Sequence, residues 1–232
     1  MNAMLQTFLL AAIPAIIAIT FHEAAHGYAA LAMGDPTARE QGRLSLNPLR
    51  HVDDVGTLIV PGVLMLAQLA TIGRVAFLFG WAKPVPIAAW RFRNPRRGMM
   101  IVAAAGPAMN FVLAWVGALF LHVVPYVAAG SRDVASEFVE IFIIANLVLG
   151  LFNLLPIPPL DGGRILVGLL PEGPARAWAR LERAGIVIVL LCVFLIPRIL
   201  ATFGVEWDPV GHALGEIIPW AYDTVVRLAG NG

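Results

Sequence analysis

The sequence contains little charge and almost no cysteine. Only 13% of its 232 residues are charged, whereas about a quarter are charged in a typical soluble domain. The single cysteine, Cys192, excludes an intrachain disulfide framework and gives no thiol metal motif. A formal net charge of +1 gives no basis for a nucleic-acid partner. What the chain has in excess is apolar sequence.

Hydrophobic residues make up 59% of the chain, and its mean hydropathy is +0.80. A hydrocarbon core about 30 Å thick is crossed by about 20 apolar residues in a helix. No internal repeat or long linker divides the chain. The composition therefore predicts an all-α polytopic membrane protein, a single membrane-embedded domain over residues 1–232. It has about five transmembrane or re-entrant segments, at 4–32, 55–79, 98–124, 137–155 and 184–201.

The last apolar stretch, residues 209–229, has a different pattern. Apolar residues recur at helical spacing from Val210 to Leu228, and His212, Glu216 and Asp223 fall on the other face. Such a pattern predicts an amphipathic helix that lies in the membrane interface or against the bundle.

A polar motif interrupts the first apolar segment. The sequence HEAAH fits H-E-x-x-H, and helical spacing places His22 and His26 on one face, where both can bind one zinc ion. Glu23 beside them can take a proton from a water on the metal. An ionisable side chain at membrane depth costs at least ~2.5 kcal/mol. A functional role is therefore favoured over a tolerated polar interruption.

A third ligand is suggested by FNLLPIPPLDGG, residues 152–163, which follows another apolar segment. Its three prolines prevent the helix from continuing, and its two glycines permit tight backbone geometry. Irregular backbone at membrane depth is tolerated where it lines a polar cavity. Asp161 in this stretch is the candidate carboxylate ligand. Taken alone, the stretch is equally compatible with a surface turn.

Together, H-E-x-x-H and the later N-x-x-P-x-x-P-x-D-G resemble the site-2 protease family of intramembrane zinc metalloproteases. GPAMN at 106–110 matches the G-P-x-x-N helix of that family. GWAKPVPI at 80–87 looks like its membrane-associated strand, so a small β segment is expected near 75–87. The resemblance implies that His22, His26 and Asp161 hold one zinc ion per chain, with Glu23 as the catalytic base.

The resemblance also indicates two asparagines. Asn153, eight residues before Asp161, would donate a hydrogen bond to the developing oxyanion, a role whose loss can cost ~3 kcal/mol. Asn110 either does similar work or joins one helix to another; both alternatives stay open. Gly106 is interpreted as a small residue for close helix packing.

The resemblance further implies the activity, which is hydrolysis of single-span membrane proteins in regulated intramembrane proteolysis. The expected surroundings are the lipid bilayer, in a multi-pass position in a cell membrane of the bacterial inner-membrane kind. The chain begins almost directly with the zinc helix and has no segment for a PDZ domain, so it resembles a minimal form of the family. The alternative function is a membrane metal transporter or sensor that uses the same ligands without hydrolysis.

The proposed ligands place a demand on topology. If the C-terminal halves of 4–32 and 137–155 meet at one zinc ion, both segments run in the same direction and 98–124 is the return crossing. Residues 55–79 are then a re-entrant or broken element, with Pro61, Gly62 and Gly73 as expected break points. The arginine-rich loops would share one side, which the positive-inside rule makes cytoplasmic, and the active site would lie towards it.

Two smaller signals have ordinary explanations. His51, Asp53 and Asp54 could form a second polar site, but a solvated loop with a helix N-cap is favoured. Tyr28, two residues after His26, is interpreted as an interfacial aromatic and not as a catalytic acid.

Overall fold

A computed structural model of the protein describes residues 3–73 and 80–231, and within these ranges the secondary structure is helical. We number the α-helices α1 (Ala3–Ala32), α2 (Thr37–Glu40), α3 (Val60–Ile72), α4 (Pro95–Phe120), α5 (Arg132–Asn153), α6 (Asp161–Leu169), α7 (Glu172–Arg180), α8 (Gly185–Val189), α9 (Ile196–Thr202) and α10 (Pro209–Leu228).

The predicted number of long apolar helices is confirmed. Two π-helical turns extend the shorter helices: Asp54–Ile59 leads into α3, and Leu190–Leu195 joins α8 to α9. By length and composition alone, the described chain then has five helical stretches able to cross a membrane. These are Leu5–Ala32, Asp54–Thr71, Pro95–Phe120, Ala129–Asn153 and Glu172–Thr202.

Helix α4 lies at the centre of the bundle, in contact with α1, α5, α6 and α10. Small residues permit this close approach. A Cβ atom added at Gly117 would lie 2.9 Å from the ring of Phe142 on α5. The main core cluster joins Ala114 and Ala118 of α4 to Ile143 and Leu147 of α5, all fully buried. Tight packing of this kind holds α4 and α5 in one relative position.

Contacts along α4 give the direction of its neighbours. On α1, Ala18 contacts Asn110 and His26 contacts Val102, so residue numbers rise on one helix as they fall on the other. Gly117 packs against Phe142, and Asn110 bonds to Asn146 four residues further along α5. Both α1 and α5 are therefore antiparallel to α4 and parallel to each other. This is the direction that a zinc site shared by the two segments requires.

Helix α3 differs from its expected shape. Pro61 falls in its first turn, directly after the π-helical turn, where a missing amide hydrogen is tolerated. Neither Pro61 nor Gly62 interrupts the helix. Gly73 does end it, with a φ of 70° that favours glycine.

The small β segment expected near 75–87 is not observed in the part of the chain that the structure describes. Residues 75–79 lie outside the described ranges, and 80–88 form neither helix nor strand. Pro84 and Pro86 have no amide hydrogen, so they cannot donate to a β ladder. The Val85 amide donates to a side chain instead, that of Glu23.

The C-terminal helix α10 packs against α5 and α4, which is one of the two positions expected for it. Ala221 is buried in the main core cluster, and Tyr222, Val225 and Val226 pack beside it. On the other face, the side chain of Trp220 is 68% exposed.

Candidate metal centre and active site

Three candidate ligand atoms converge at the centre of the bundle. His22 and His26 lie one turn apart on α1, and their Nε2 atoms are 3.1 Å from each other. Oδ2 of Asp161, the first residue of α6, lies 3.1 Å from Nε2 of His22 and 3.3 Å from Nε2 of His26. All three side chains are buried.

The spacing of these atoms fits a tetrahedral zinc site. Ligands about 2.1 Å from a tetrahedral centre lie about 3.4 Å from one another. The three observed separations, 3.1, 3.1 and 3.3 Å, are close to that edge length. Two imidazoles and one carboxylate leave a fourth position for water or substrate, as catalytic zinc sites do.

Hydrogen bonds to the other ring nitrogens fix the tautomers. The Asn110 amide nitrogen donates to the Ala18 carbonyl at 3.3 Å, so Oδ1 is the Asn110 atom that faces Nδ1 of His22 at 2.6 Å. Nδ1 of His26 faces the Val102 carbonyl at 2.7 Å. Because both partners can only accept, both Nδ1 atoms carry the hydrogen. The Nε2 atom of each histidine therefore presents a lone pair.

These lone pairs explain why the site needs a cation. Oδ2 of Asp161 is buried and has no hydrogen-bond partner among the described residues. The two Nε2 lone pairs and this oxygen would repel one another at about 3 Å in an apolar interior. A shared Zn²⁺ converts that repulsion into coordination, so the donor set and its geometry both fit zinc.

Gly106 allows α4 to approach the ligands. A Cβ atom at this position would lie 2.5 Å from Cε1 of His26 and 2.6 Å from Cε1 of His22. Real Cβ atoms essentially never make contacts this short, and the facing atoms belong to the two ligand rings. The structure agrees with the interpretation of Gly106 as a small packing residue, and the groups it packs against are the two candidate ligands.

Asn146 of α5 is a member of the site that the sequence analysis missed. Its side chain is fully buried, accepts a hydrogen bond from Nδ2 of Asn110 at 3.0 Å, and donates to the Phe142 carbonyl at 2.9 Å. Asn146 thereby orients Asn110, which in turn orients His22. The available signal was an amide in the middle of the apolar run IIANLVL, since polar groups in membrane helices bond to neighbouring helices.

The segment between α5 and α6 delivers Asp161. A Cβ atom at Gly162 would lie 2.2 Å from the Leu154 carbonyl oxygen and 2.3 Å from that of Leu155, so the glycine lets this segment fold back onto the end of α5. A Cβ atom at Gly163 would lie 2.9 Å from the backbone nitrogen of Pro158. The sequence predicts that the two glycines permit tight backbone geometry. The distances show that neighbouring backbone atoms leave no room for a Cβ atom at either position.

Glu23 lies next to the ligand atoms. Its carboxylate, with one ring nitrogen each of His22 and His26, forms a group whose candidate ligand atoms all lie within 4.8 Å of one another. Oε2 accepts a hydrogen bond from the Val85 amide at 3.1 Å. A partly buried carboxylate beside an open metal position has the placement of a general base.

The predicted oxyanion donor Asn153 lies at the C-terminal end of α5. Its Nδ2 donates to the Leu149 carbonyl of the preceding turn at 3.0 Å. This bond uses one of the two amide hydrogens. Participation of Asn153 in catalysis stays a prediction.

The remaining candidates are His51, Asp53, Asp54 and Tyr28. His51 is buried and its Nε2 lies 2.8 Å from the Ser45 carbonyl, while Asp54 is exposed. Asp53 accepts hydrogen bonds from the Val55 and Gly56 amides and is the N-cap of the π-helical turn. Tyr28 is half exposed. The structure does not bring these four residues into the metal centre.

Comparison with known proteins agrees with this chemistry. The sequence profile of peptidase family M50 matches residues 122–196, the range that contains Asn153 and Asp161. YwhC of Bacillus subtilis (strain 168), named as a zinc metalloprotease, is 41% identical over 188 residues, which are 78% of each chain.

Two mycobacterial proteins called Rip2 also carry the name of a zinc metalloprotease. The protein of Mycolicibacterium smegmatis is 33% identical over 184 residues, covering 76% of this chain and 64% of its own. The protein of Mycobacterium tuberculosis (strain H37Rv) is 32% identical over 190 residues, covering 81% and 67%. No solved structure matches the chain significantly.

Proposed function

This chain belongs to peptidase family M50 and is a zinc metalloprotease of the membrane, and on that premise we propose that it cleaves single-span membrane proteins within or near the bilayer. The activity is regulated intramembrane proteolysis, with His22, His26 and Asp161 as the zinc ligands and Glu23 as the general base. The observation that carries this proposal is the convergence of two Nε2 lone pairs and one buried carboxylate oxygen within 3.3 Å.

The proposed mechanism assigns a separate task to each side chain. When bound, zinc supplies a Lewis acid that activates water and polarises the scissile carbonyl at neutral pH. Glu23 accepts the proton of the attacking water on a carboxylate oxygen and later gives it to the leaving amine. The amide hydrogen of Asn153 that Leu149 does not use donates to the carbonyl oxygen of the substrate.

Of the two alternatives for Asn110, its bonds to Ala18 of α1 and Asn146 of α5 favour the second, in which it joins one helix to another. Its bond to Nδ1 of His22, together with its bonds to Ala18 and Asn146, favours a role in holding a ligand over donation to the substrate. Outer partners of this kind set the tautomer and orientation of a metal-binding histidine. We therefore assign Asn110 to the metal centre and leave oxyanion donation to Asn153.

The proposed setting is a bacterial cell membrane with the active site towards the cytoplasm. Five apolar helices support a multi-pass position. Residues 80–97 contain Lys83 and four arginines without an acidic residue, which favours a cytoplasmic side for this stretch. The ligands are buried inside the bundle, so a substrate helix must unwind before its peptide bond reaches them.

The experiment is a paired metal and cleavage measurement in proteoliposomes. The probe is a synthetic single-span polypeptide whose transmembrane helix is weakened by glycine and proline near its cytoplasmic end. We expect the wild type to hold one zinc ion per chain. Glu23→Gln should keep the metal and lose cleavage by at least about 100-fold, the usual contribution of a general base. Asp161→Asn should lose both the metal and the cleavage.

Tyr28→Phe is the matched control on α1, and it should keep metal and cleavage. Cleavage by metal-free wild type, or unimpaired cleavage by Glu23→Gln, would contradict the proposal. Zinc flux into the same vesicles would instead support the alternative transporter.

A further inference from the structure

A segment that forms neither helix nor strand packs against α1 beside the proposed general base. We call residues 83–88 the strap. The Val85 amide donates to Oε2 of Glu23 at 3.1 Å, and the Val85 side chain is 6% exposed. A Cβ atom at Gly27, one turn after Glu23 on α1, would lie 3.1 Å from Cγ1 of Val85. The glycine therefore lets the strap lie close against the helix that carries Glu23.

The beginning of the strap is held by two groups of the preceding loop. The Lys83 amide donates to the His51 carbonyl at 2.8 Å. The Lys83 carbonyl accepts a hydrogen bond from Nη2 of Arg43 at 2.9 Å. Backbone groups on both sides of Lys83 are thus fixed, two residues before the Val85 amide.

The end of the strap is held by Asp35. This carboxylate is fully buried, and its Oδ2 accepts a hydrogen bond from the Ala88 amide at 2.6 Å. Its Oδ1 accepts from the Thr37 amide at 3.0 Å and from the Thr37 hydroxyl. The Asp35 amide in turn donates to the Ala30 carbonyl at the end of α1 at 2.9 Å. Asp35 therefore ties the strap to the same helix that carries Glu23.

Asp35 is ionised at neutral pH. Burial raises the pKa of its carboxyl, but the hydrogen bonds from Thr37 and Ala88 and the nearby Arg91 guanidinium more than offset burial, so the pKa lies below its usual value. A buried carboxylate is costly unless hydrogen bonds satisfy it. Here those bonds connect the strap to α1.

We propose that Asp35 is a positioning residue for Glu23, acting through the strap. This inference rests on the proposed function, in which Glu23 is the base. Pro84 and Pro86 have no amide hydrogen, so Val85 is the one amide donor that residues 84–86 can offer. The strap is fixed at Lys83 and Ala88, so the Val85 amide holds Oε2 of Glu23 in place. Because the carboxylate is rigid, holding Oε2 also orients Oε1. Misplacement of a reacting group by about 1 Å can cost about 100-fold in rate.

The kinetic test compares Asp35→Asn with wild type in the full chain, with the synthetic single-span polypeptide as substrate. The side-chain amide introduced by Asp35→Asn has only one acceptor oxygen and cannot satisfy the Ala88 and Thr37 donors together, so the strap loses its second anchor. We expect kcat to fall by about 10- to 100-fold, with KM and zinc content unchanged to within about 2-fold. Glu40→Gln is the control, because Glu40 pairs with the same Arg91 but is exposed and bonds to neither Asp35 nor the strap among the described residues.

Hydrogen exchange gives a readout that does not depend on cleavage. Fragmentation of a peptide covering residues 82–88 resolves exchange at Val85 from exchange at Lys83, Ile87 and Ala88, and the two prolines contribute no amide. In wild type we expect slow exchange at Val85. Both Asp35→Asn and Glu23→Ala should speed this exchange, whereas Glu23→Gln, which keeps an acceptor oxygen, should not. Unchanged exchange in Asp35→Asn would overturn the proposal.

Further outcomes separate this inference from the proposed function. Should Asp35→Asn fail to fold, Val85→Pro removes the same donor, and we expect the same loss of kcat with zinc retained. If the folded variants lose zinc in parallel with activity, Asp35 has only a structural role. That result would overturn the proposal that it positions Glu23. If wild type cleaves nothing, or Glu23→Gln cleaves normally, the proposed function fails while the exchange result still decides whether Asp35 holds the strap on Glu23.

Discussion

At the scale of single residues, the candidate metal centre includes two pairs with the same helical spacing. His22 and His26 are four residues apart on α1, and Gly106 and Asn110 are four residues apart on α4. Because the helices are antiparallel and in contact, one pair faces the other. Gly106 leaves room for both imidazoles, and Asn110 orients one of them.

The role of Gly106 can be tested by adding one methyl group. We expect Gly106→Ala to lose most of its zinc and its cleavage activity, because the new Cβ atom would occupy space within 2.6 Å of both ligand rings. Metal content of the purified variant, measured by mass spectrometry, checks this. Ala104→Ser, at an exposed position of the same helix, is the control and should keep its zinc. Full metal content in Gly106→Ala would show that the helices can move apart at no cost.

The two buried amides should have graded effects. Asn110→Leu removes the acceptor of His22 Nδ1, and loss of such a partner typically lowers metal affinity by about 10- to 100-fold. Asn146→Leu leaves that acceptor in place but removes its support, so we expect a smaller decrease. Competition with a zinc chelator measures both affinities. A larger effect for Asn146→Leu would contradict the order of the contacts.

Sequence analysis found the candidate ligand residues more readily than the residues that support them. His22, His26 and Asp161 belong to motifs whose residue types and spacing indicate metal binding. The structure brings their candidate ligand atoms together. Asn146 has no such pattern, because an amide in an apolar helix can bond to any neighbour. Its partner became visible only once α4 and α5 were packed.

At the scale of elements, the helices were predictable and the strap was not. Apolar length predicted the long helices to within a few residues at most of their ends, since the membrane thickness sets that length. The strap was expected to form a β segment. Its described residues instead give their amides to the Glu23 and Asp35 carboxylates and the His51 carbonyl. Local sequence does not specify such long-range partners.

Docking of the strap should depend on pH. The pKa of Asp35 is lower in the folded protein than its usual value of about 3.9, so its stabilising effect is fully present above that value. It is lost as the pH falls through the lower, folded-state pKa. We expect wild type to be more stable than Asp35→Asn at neutral pH, with the difference shrinking below about pH 4.

Thermal unfolding of both proteins in detergent across this pH range measures the difference. Glu40→Gln, which removes only an exposed ion pair, should stay close to wild type, since such pairs contribute about 0–1 kcal/mol. A stability difference that grows towards acid pH would contradict the assigned direction.

At the scale of the whole molecule, the ends of residues 57–80 lie together. The Trp81 amide donates to the Gly56 carbonyl at 3.1 Å, and the Thr57 hydroxyl donates to the Trp81 carbonyl at 3.0 Å. The stretch that contains α3 therefore starts and ends at one place, although Asp54–Thr71 is long and apolar enough to be counted as a span. Composition alone cannot distinguish a transmembrane crossing from a re-entrant element. The requirement that His22, His26 and Asp161 meet at one zinc ion predicts the re-entrant element.

This arrangement predicts which loops share a side of the membrane. In a Cys192→Ser background, single cysteines replace Leu49, Trp90 and Tyr126, whose side chains are 77%, 80% and 87% exposed. A membrane-impermeant maleimide is applied to sealed right-side-out and inverted vesicles. Because the stretch 57–80 returns to its starting point, we expect positions 49 and 90 to react from the same, cytoplasmic side and position 126 from the opposite one. Labelling of 49 and 90 from opposite sides would make α3 a full crossing, and α1 and α5 could then not both reach the zinc site from one direction.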